Sequence, residues 1–378
     1  MREFFIENAA YWIEEFHLDG LRLDATQQIF DASDEHLVAS VTQRARAAAA
    51  GRGIYIASEN EMQDTWHVRP PEQGGCGADA LWNDDFHHAA LVALTGSRDA
   101  YLGDYQGSPQ EFVSAAKWGF LYQDQFAAWR KLRRGIPSLD VQPDNFVAFL
   151  QNHDQIANTL WGQRIHGATG AAKFRAMTAW FLLGPATPML FQGQEFASSS
   201  PFLYFADHTP ELAQGVRSGR LEFRKLFPSA QAAMADPEAE ETFKACVLNW
   251  EEAARSASGK VLQLHRDLIA LRRGDPLIAT ALRGNYDGAV LGNSAFLLRY
   301  FGGGNDRLLI VNLGGQFDHG VSPEPLLAPP AGGTWKLQWC SEDPAYGGSG
   351  VPSLEEGGRW IMPAESAMWL IAESNEAE

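Results

Sequence analysis

The sequence predicts an α/β fold of the parallel kind over residues 1–275, followed over 276–378 by a small antiparallel β domain, and three observations carry this. Helix-like and strand-like stretches alternate through the first part, the pattern of a parallel sheet with crossover helices. Three of its strand-like stretches run into an acidic residue at their C-terminal ends: Asp24, Glu59 and Asp154. Beyond Pro276 the helical period disappears, and short apolar runs alternate with Gly- and Pro-rich turns.

The first sixteen residues read as an amphipathic helix, with Phe5, Ala9, Trp12, Ile13 and Phe16 on its apolar face and Glu7, Glu14 and Glu15 solvated. A turn at His17 to Gly20 then leads into Asp19-Gly20-Leu21-Arg22-Leu23-Asp24. Alternation along a strand puts Leu21 and Leu23 on one face and Arg22 and Asp24 on the other. Ser33 is the expected cap of a helix over 34–50, which Gly51 and Gly53 stop. The unit repeats with the strand Ile54 to Glu59. Residues 63–80 read as loop, with Pro70-Pro71 and Gly74-Gly75 as breakers. The polar and aromatic cluster Trp82-Asn83-Asp84-Asp85-Phe86-His87-His88 leads into a helix at 89–95. Its two His and two Asp lack the i, i+4 spacing of helical zinc sites, so a loop lining a polar cleft is the better reading.

A mostly helical stretch is expected over 108–134, a buried strand over 146–150, a helix over 173–183 and a fourth strand over 188–191. Residues 196–227 read as a long irregular connection, and a helix over 259–273 closes the first part. In the second part the runs 296–301, 307–312, 335–339 and 367–371 read as strands of a β-sandwich. No catalytic cluster shows there, so its expected role is to stabilise the larger part. Residues 373–378 look like a frayed acidic tail.

The composition, 45% hydrophobic and 20% charged, suits a large buried core. A net charge of -17 disfavours polyanionic partners, both nucleic acid and acidic membrane surfaces. A neutral substrate fits better. Cys76, Cys246 and Cys340 are odd in number and without metal-ligand spacing, which predicts reduced thiols in a cytoplasmic protein. No signal peptide and no bilayer-spanning apolar run is apparent. The 12 Trp, 22 Phe and 9 Tyr lean mildly towards carbohydrate, whose clefts use aromatic faces.

Parallel strands present their C-terminal ends on one face, and in a (β/α)8 barrel that face holds the active site. Asp24, Glu59 and Asp154 would converge there. Such a set fits glycoside hydrolysis with retention, in which one carboxylate attacks the anomeric carbon and a protonated second one donates to the leaving oxygen. Asp24 beside Arg22 is the better nucleophile, because a guanidinium favours the charged form. Glu59, next to Ile56 and Ala57, is the better acid, because apolar surroundings favour the neutral form. A divalent metal held by the three carboxylates is the rival chemistry, although hard-metal sites carry denser oxygen clusters.

Asp19 to Asp24, Glu59 and Asn152-His153-Asp154 resemble the successive signature regions of the α-amylase superfamily, glycoside hydrolase family 13. The stretches Trp82 to His88, Phe149 to Gln155, Pro201 to His208 and Ser341 to Gly347 are similar, more narrowly, to its maltooligosyltrehalose trehalohydrolase branch. That resemblance implies a partial (β/α)8 barrel comprising about strands 4 to 8. On it Asp24 is the nucleophile, Glu59 the general acid/base and Asp154 the transition-state stabiliser. Arg22 and His153 would contact the sugar that is cut, and Trp82, Asp85, Phe86 and His87 are candidates for the leaving-group side. The implied reaction is hydrolysis of the α-1,4 bond joining trehalose to a maltooligosaccharide, with no cofactor and no metal. Family members carry an N-terminal β-sandwich and three further barrel strands, and no Asp-x-x-x-Asn-His motif is found here. The expectation is therefore a truncated or split chain, or one begun at an internal Met, with little activity alone, and a separately encoded N-terminal half is one candidate partner. Rival readings are a glucan branching or debranching enzyme with the same acids, and an inactive fragment that binds α-glucans.

Overall fold

The computed structural model describes residues 1–225, 235–320, 323–351, 355–356 and 359–374. The chain forms two compact units, one from Met1–Phe86, Ser114–Ala148 and Pro185–Thr187, the other from His87–Val113, Phe149–Gly184 and Pro188–Glu378.

In the first unit, helix α1 (Arg2–Glu14) packs on helix α2 (Leu37–Ala48). The side chains between them are Ile6, Ala9, Ile13, Val41 and Ala45, with Leu21 and Leu23 against the same cluster. Small residues let the two helices approach closely. The expected apolar face is therefore rotated: Phe5, Trp12 and Phe16 lie at 48%, 40% and 52% exposure, together with Phe4 and Tyr11. Helix α2 also starts later than Ser33 suggests. Ser33 donates to Asp31, while the backbone N–H of Leu37 donates to Asp31 Oδ2 at 2.6 Å and that of Val38 donates to His36 Nδ1.

Strands β1 (Gly20–Leu23), β2 (Tyr55–Ser58) and β3 (Ala80–Trp82) run parallel, and the sheet continues through Phe146–Ala148 to Thr187. Helices fall between them, as in half a wound barrel. Gly20 is required where it stands, since a Cβ there would sit 1.9 Å from the Tyr55 carbonyl oxygen across the β1/β2 ladder. The strand β3 corrects the reading of this region as loop and polar cluster, and the helix that follows, α3 (Asp84–Thr95), begins five residues earlier than expected. The stretch after it is helical only over Pro109–Trp118. Gln125–Ala127 and Leu132–Arg134 instead form an antiparallel hairpin.

The second unit contains the helices Ala171–Leu183 and Ser256–Gly274, close to expectation, and a helix at Pro210–Arg224 where an irregular connection was predicted. Residues 226–227 of that connection lie outside the described residues. Its β-rich part has one five-stranded antiparallel sheet in the order Gly333–Cys340, Ser366–Ser374, Arg307–Asn312, Ala295–Tyr300, Tyr286–Val290. A smaller sheet holds Phe317–Gly320, Arg359–Met362 and Glu355–Glu356. Of the expected acidic tail, Glu373 and Ser374 end the last long strand, and 375–378 lie outside the described residues.

The central strands are apolar on both faces because both are covered. Leu297, Leu308, Ile310, Met368 and Leu370 face the smaller sheet side with Met362 and Phe317. On the other face Phe296 meets Phe112 and Trp180, and Tyr300 donates to the Leu183 carbonyl at 2.7 Å. The stretch Ser341 to Gly347 fastens this sheet to the helices. Arg175 donates to the Ser341 carbonyl at 3.0 Å and to Glu342 at 2.6 Å, and Tyr346 donates to Asp267 at 2.7 Å. Arg175 and Glu342 are both buried.

Removing one member of a buried ion pair strands the other charge, at a cost of about 3–5 kcal/mol, whereas replacing both by apolar groups of similar volume is far milder. Arg175→Ala is therefore expected to lower unfolding free energy by about that amount, and the double variant Arg175→Met with Glu342→Leu by much less. Urea denaturation followed by Trp fluorescence checks both.

Candidate active site

The site is built where β1 and β2 end side by side. The sheet register pairs Leu23 with Ser58, so the next residues, Asp24 and Glu59, emerge at the same level of adjacent parallel strands. Arg22 joins them: one terminal nitrogen lies 2.5 Å from Asp24 Oδ1 and the other 2.9 Å from Glu59 Oε2. The guanidinium itself sits over the buried Trp82 ring at the end of β3, 4.2 Å from its centroid. Cation–π contact on one face and two carboxylates on the edge fix its orientation.

Glu59 is clamped on every side. Its backbone N–H donates to the Leu23 carbonyl at 2.8 Å, and its own carbonyl accepts from the Thr26 N–H and hydroxyl. Oε2 also accepts from the Ala25 N–H at 3.0 Å. Ala25 holds a left-handed backbone, φ 44°, which costs a non-glycine residue roughly 1–3 kcal/mol and persists where the surroundings enforce it. Burial pushes the Glu59 carboxyl above its ordinary range; the Ala25 N–H and Arg22 oppose this, and the charge and hydrogen bond of Asp24 add to it. Desolvation wins, so the folded protein holds this proton more readily than an ordinary carboxyl does. Asp24 differs sharply, with 72% of its side chain open to water. The two carboxyls thus have the split environments that separate a proton donor from a nucleophile.

His153 and Asp154 belong to the second unit, on the short helix His153–Ala157, whose N-terminus is capped by Asn152. The His153 Nε2 lies 3.3 Å from Asp154 Oδ2, and both side chains are about half exposed. The remaining candidates are placed behind the surface. Asp85 is fully buried: Oδ2 accepts from the N–H groups of Leu121 and Tyr122 at 2.6 and 3.1 Å, and Oδ1 pairs with the buried Arg134 at 2.7 Å. It anchors the 119–134 segment. Phe86 and His87 are buried too. Sequence reasoning missed Arg134 and Ala25. The first lies 49 residues from its partner, and the second betrays itself by no side-chain chemistry at all. Among the described residues no group of three or more His, Cys, Asp or Glu is placed to hold a metal ion.

The fold is that of the α-amylase type of glycoside hydrolase. A solved structure of a Salmonella typhimurium protein assigned as an alpha-amylase covers 98% of this chain with 60% of its own length, at a TM-score of 0.82 and 30% identity. Within that class the chain is a relative of the maltooligosyltrehalose trehalohydrolases. It is 36% identical over 321 residues to that of Deinococcus radiodurans and 32% identical over 306 to that of Saccharolobus solfataricus, alignments covering 83% and 80% of this chain. The chain spans about half the length of these relatives, 52% in both cases. Residues 283–369 also match the family described as a domain of unknown function, DUF3459.

A carboxyl whose folded pKa is raised binds its proton more readily in the folded state, so stability falls as pH rises through the folded value. Glu59→Gln keeps the acceptor for Ala25 without the charge. It is expected to raise Tm at neutral pH, with the gain vanishing below the ordinary carboxylate range, where wild-type Glu59 is itself protonated. Calorimetry from about pH 3 to 8 measures this.

Proposed function

We propose that this chain carries the catalytic carboxylates of a retaining glycoside hydrolase that cleaves the α-1,4 bond between trehalose and the maltooligosyl chain of maltooligosyltrehalose. The observation that carries the reading is Arg22 held between Asp24 and Glu59 at the ends of neighbouring parallel strands. The exposed Asp24 carboxylate attacks the anomeric carbon while Glu59 gives its proton to the departing glycosidic oxygen. Glu59, now ionised, then takes a proton from the water that releases the sugar from Asp24. Asp154 would hold the sugar hydroxyls as the ring flattens, with His153 and Arg22 against the same sugar. Trp82 acts through Arg22, keeping its fork in place.

On this reading residues 1–275 form the catalytic part, residues 276–378 a supporting β domain, and the barrel is completed by polypeptide carrying its remaining strands. The described parallel sheet has five strands against the eight of a closed barrel, and β1 forms its edge. The exposed rings of Phe4, Phe5, Tyr11, Trp12 and Phe16 are the kind of surface such a portion would cover. The free, buried thiols of Cys76, Cys246 and Cys340 favour a reducing compartment, the cytoplasm. No described helix is long and apolar enough to cross a membrane.

Trehalose release from maltooligosyltrehalose tests the proposal. The 378-residue chain alone is expected to turn over little, and co-expression with a polypeptide supplying the other barrel strands to restore release. Glu59→Gln in the completed enzyme should cut the rate by about 10²- to 10⁴-fold. New α-1,6 branches in place of trehalose would establish the branching reading instead, and wild-type rates in the variant would remove Glu59 from its role.

A further inference from the structure

The second unit has a half-open cavity of about 540 Å³, lined by its residues alone, between α3, the 97–102 turn and the segment 150–168. Its size is within the range of small-ligand sites, roughly 300–1,000 Å³. Most of its wall is apolar, including Leu91, Leu102, Ile156 and Ile165. Two buried polar side chains interrupt that wall, and each has one end already committed.

His87 lines the cavity at 2% exposure, its ring stacked on Phe149. Its Nδ1 lies 2.9 Å from the Leu150 carbonyl, which can only accept, so the proton is on Nδ1 and Nε2 keeps a bare lone pair. Burial lowers the imidazole to about 4, which keeps the ring neutral at physiological pH. Gln151, at 1% exposure, accepts the Ile165 N–H at 3.0 Å through Oε1, leaving its Nε2 donor pointing the other way. Neither His87 Nε2 nor Gln151 Nε2 has a hydrogen-bond partner. Leaving buried polar atoms unmade is costly, and a site that supplies one acceptor and one donor matches hydroxyl groups, which both give and take.

The charges present do not call for an ionic ligand. Arg98 spends its guanidinium on the carbonyls of Tyr105 and Gln106, and the carboxylate-bearing Asp99 lines the cavity as well. Tyr101 also lines the cavity, its ring packed on His88 and its hydroxyl donating to Gln155 at 2.5 Å. Gln155 and Ile156 line the cavity from the same short helix that carries Asp154.

We propose that this cavity binds a neutral glucosyl unit of an α-glucan, with His87 Nε2 accepting from and Gln151 Nε2 donating to its hydroxyls. The choice of an α-glucan rests on the hydrolase reading above; the demand for a neutral polyhydroxylated ligand does not. Maltotriose added to the full chain, with ¹⁵N-labelled histidine, is the test. The His87 Nε2 resonance, assigned by its loss in His87→Phe, is expected to shift and saturate with maltotriose. In titration calorimetry His87→Phe, which keeps a ring against Phe149 but has no acceptor, should weaken binding about tenfold. Leu91→Trp, which fills the space, should do the same or more. A His87 resonance indifferent to maltotriose, or affinities unchanged in both variants, would show a cavity that holds water alone and overturn the proposal. A His87 response that persists while the completed enzyme releases no trehalose supports the cavity site and sinks only the hydrolase reading.

Discussion

Everything at the candidate active site depends on one cation shared by two acids. A guanidinium between two ionised carboxylates leaves one negative charge in excess, and the half-buried position of Glu59 makes that excess expensive. Protonating Glu59 removes it, and burial outweighs the help that Arg22 and the Ala25 N–H give to the charged form. Asp24 needs no such relief, because water reaches it. Burial, and not the Arg, is what sets Glu59 apart from its exposed neighbour Asp24. The Trp82 ring beneath the guanidinium keeps the arrangement from collapsing onto either acid alone.

The packing around that site serves the same geometry. Gly20 permits β1 to approach β2 closely enough for the two strand ends to stand level, and the Ala-rich seam between α1 and α2 brings both helices down on the same sheet. Asp85 and Arg134 form a buried pair that ties down the 119–134 segment behind β3. In the second unit the buried Arg175–Glu342 pair and the Tyr346–Asp267 bond explain why a charged, turn-rich stretch follows a β-strand there: those polar groups are the fastening of sheet to helix.

The strands at 20–23, 55–58 and 146–148 could be read from the sequence because each is an apolar run closed by a conspicuous polar group, and that same interruption exposed Arg22, Asp24 and Glu59. The strand Ala80–Trp82 could not, since three residues carry no period and their burial is set by neighbours on both sides. The helix Pro210–Arg224 hides behind Gly215 and Gly219, which lower local propensity although the chain still winds there. On α1 the aromatic residues dominated the pattern, yet the alanines decided the contact, because closeness of approach and not hydrophobicity alone selects a helix face. For Asp85 the sequence could not reveal its buried partner, because Arg134 lies 49 residues away.

The rotation of α1 has a further physical outcome. Four partly exposed aromatic rings on α1, with Phe16 just past its end, lie in a unit in which β1 is an edge strand among the described residues. Bare rings and open strand edges are the surfaces by which chains adhere to copies of themselves. A net charge of -17 opposes such contact between copies.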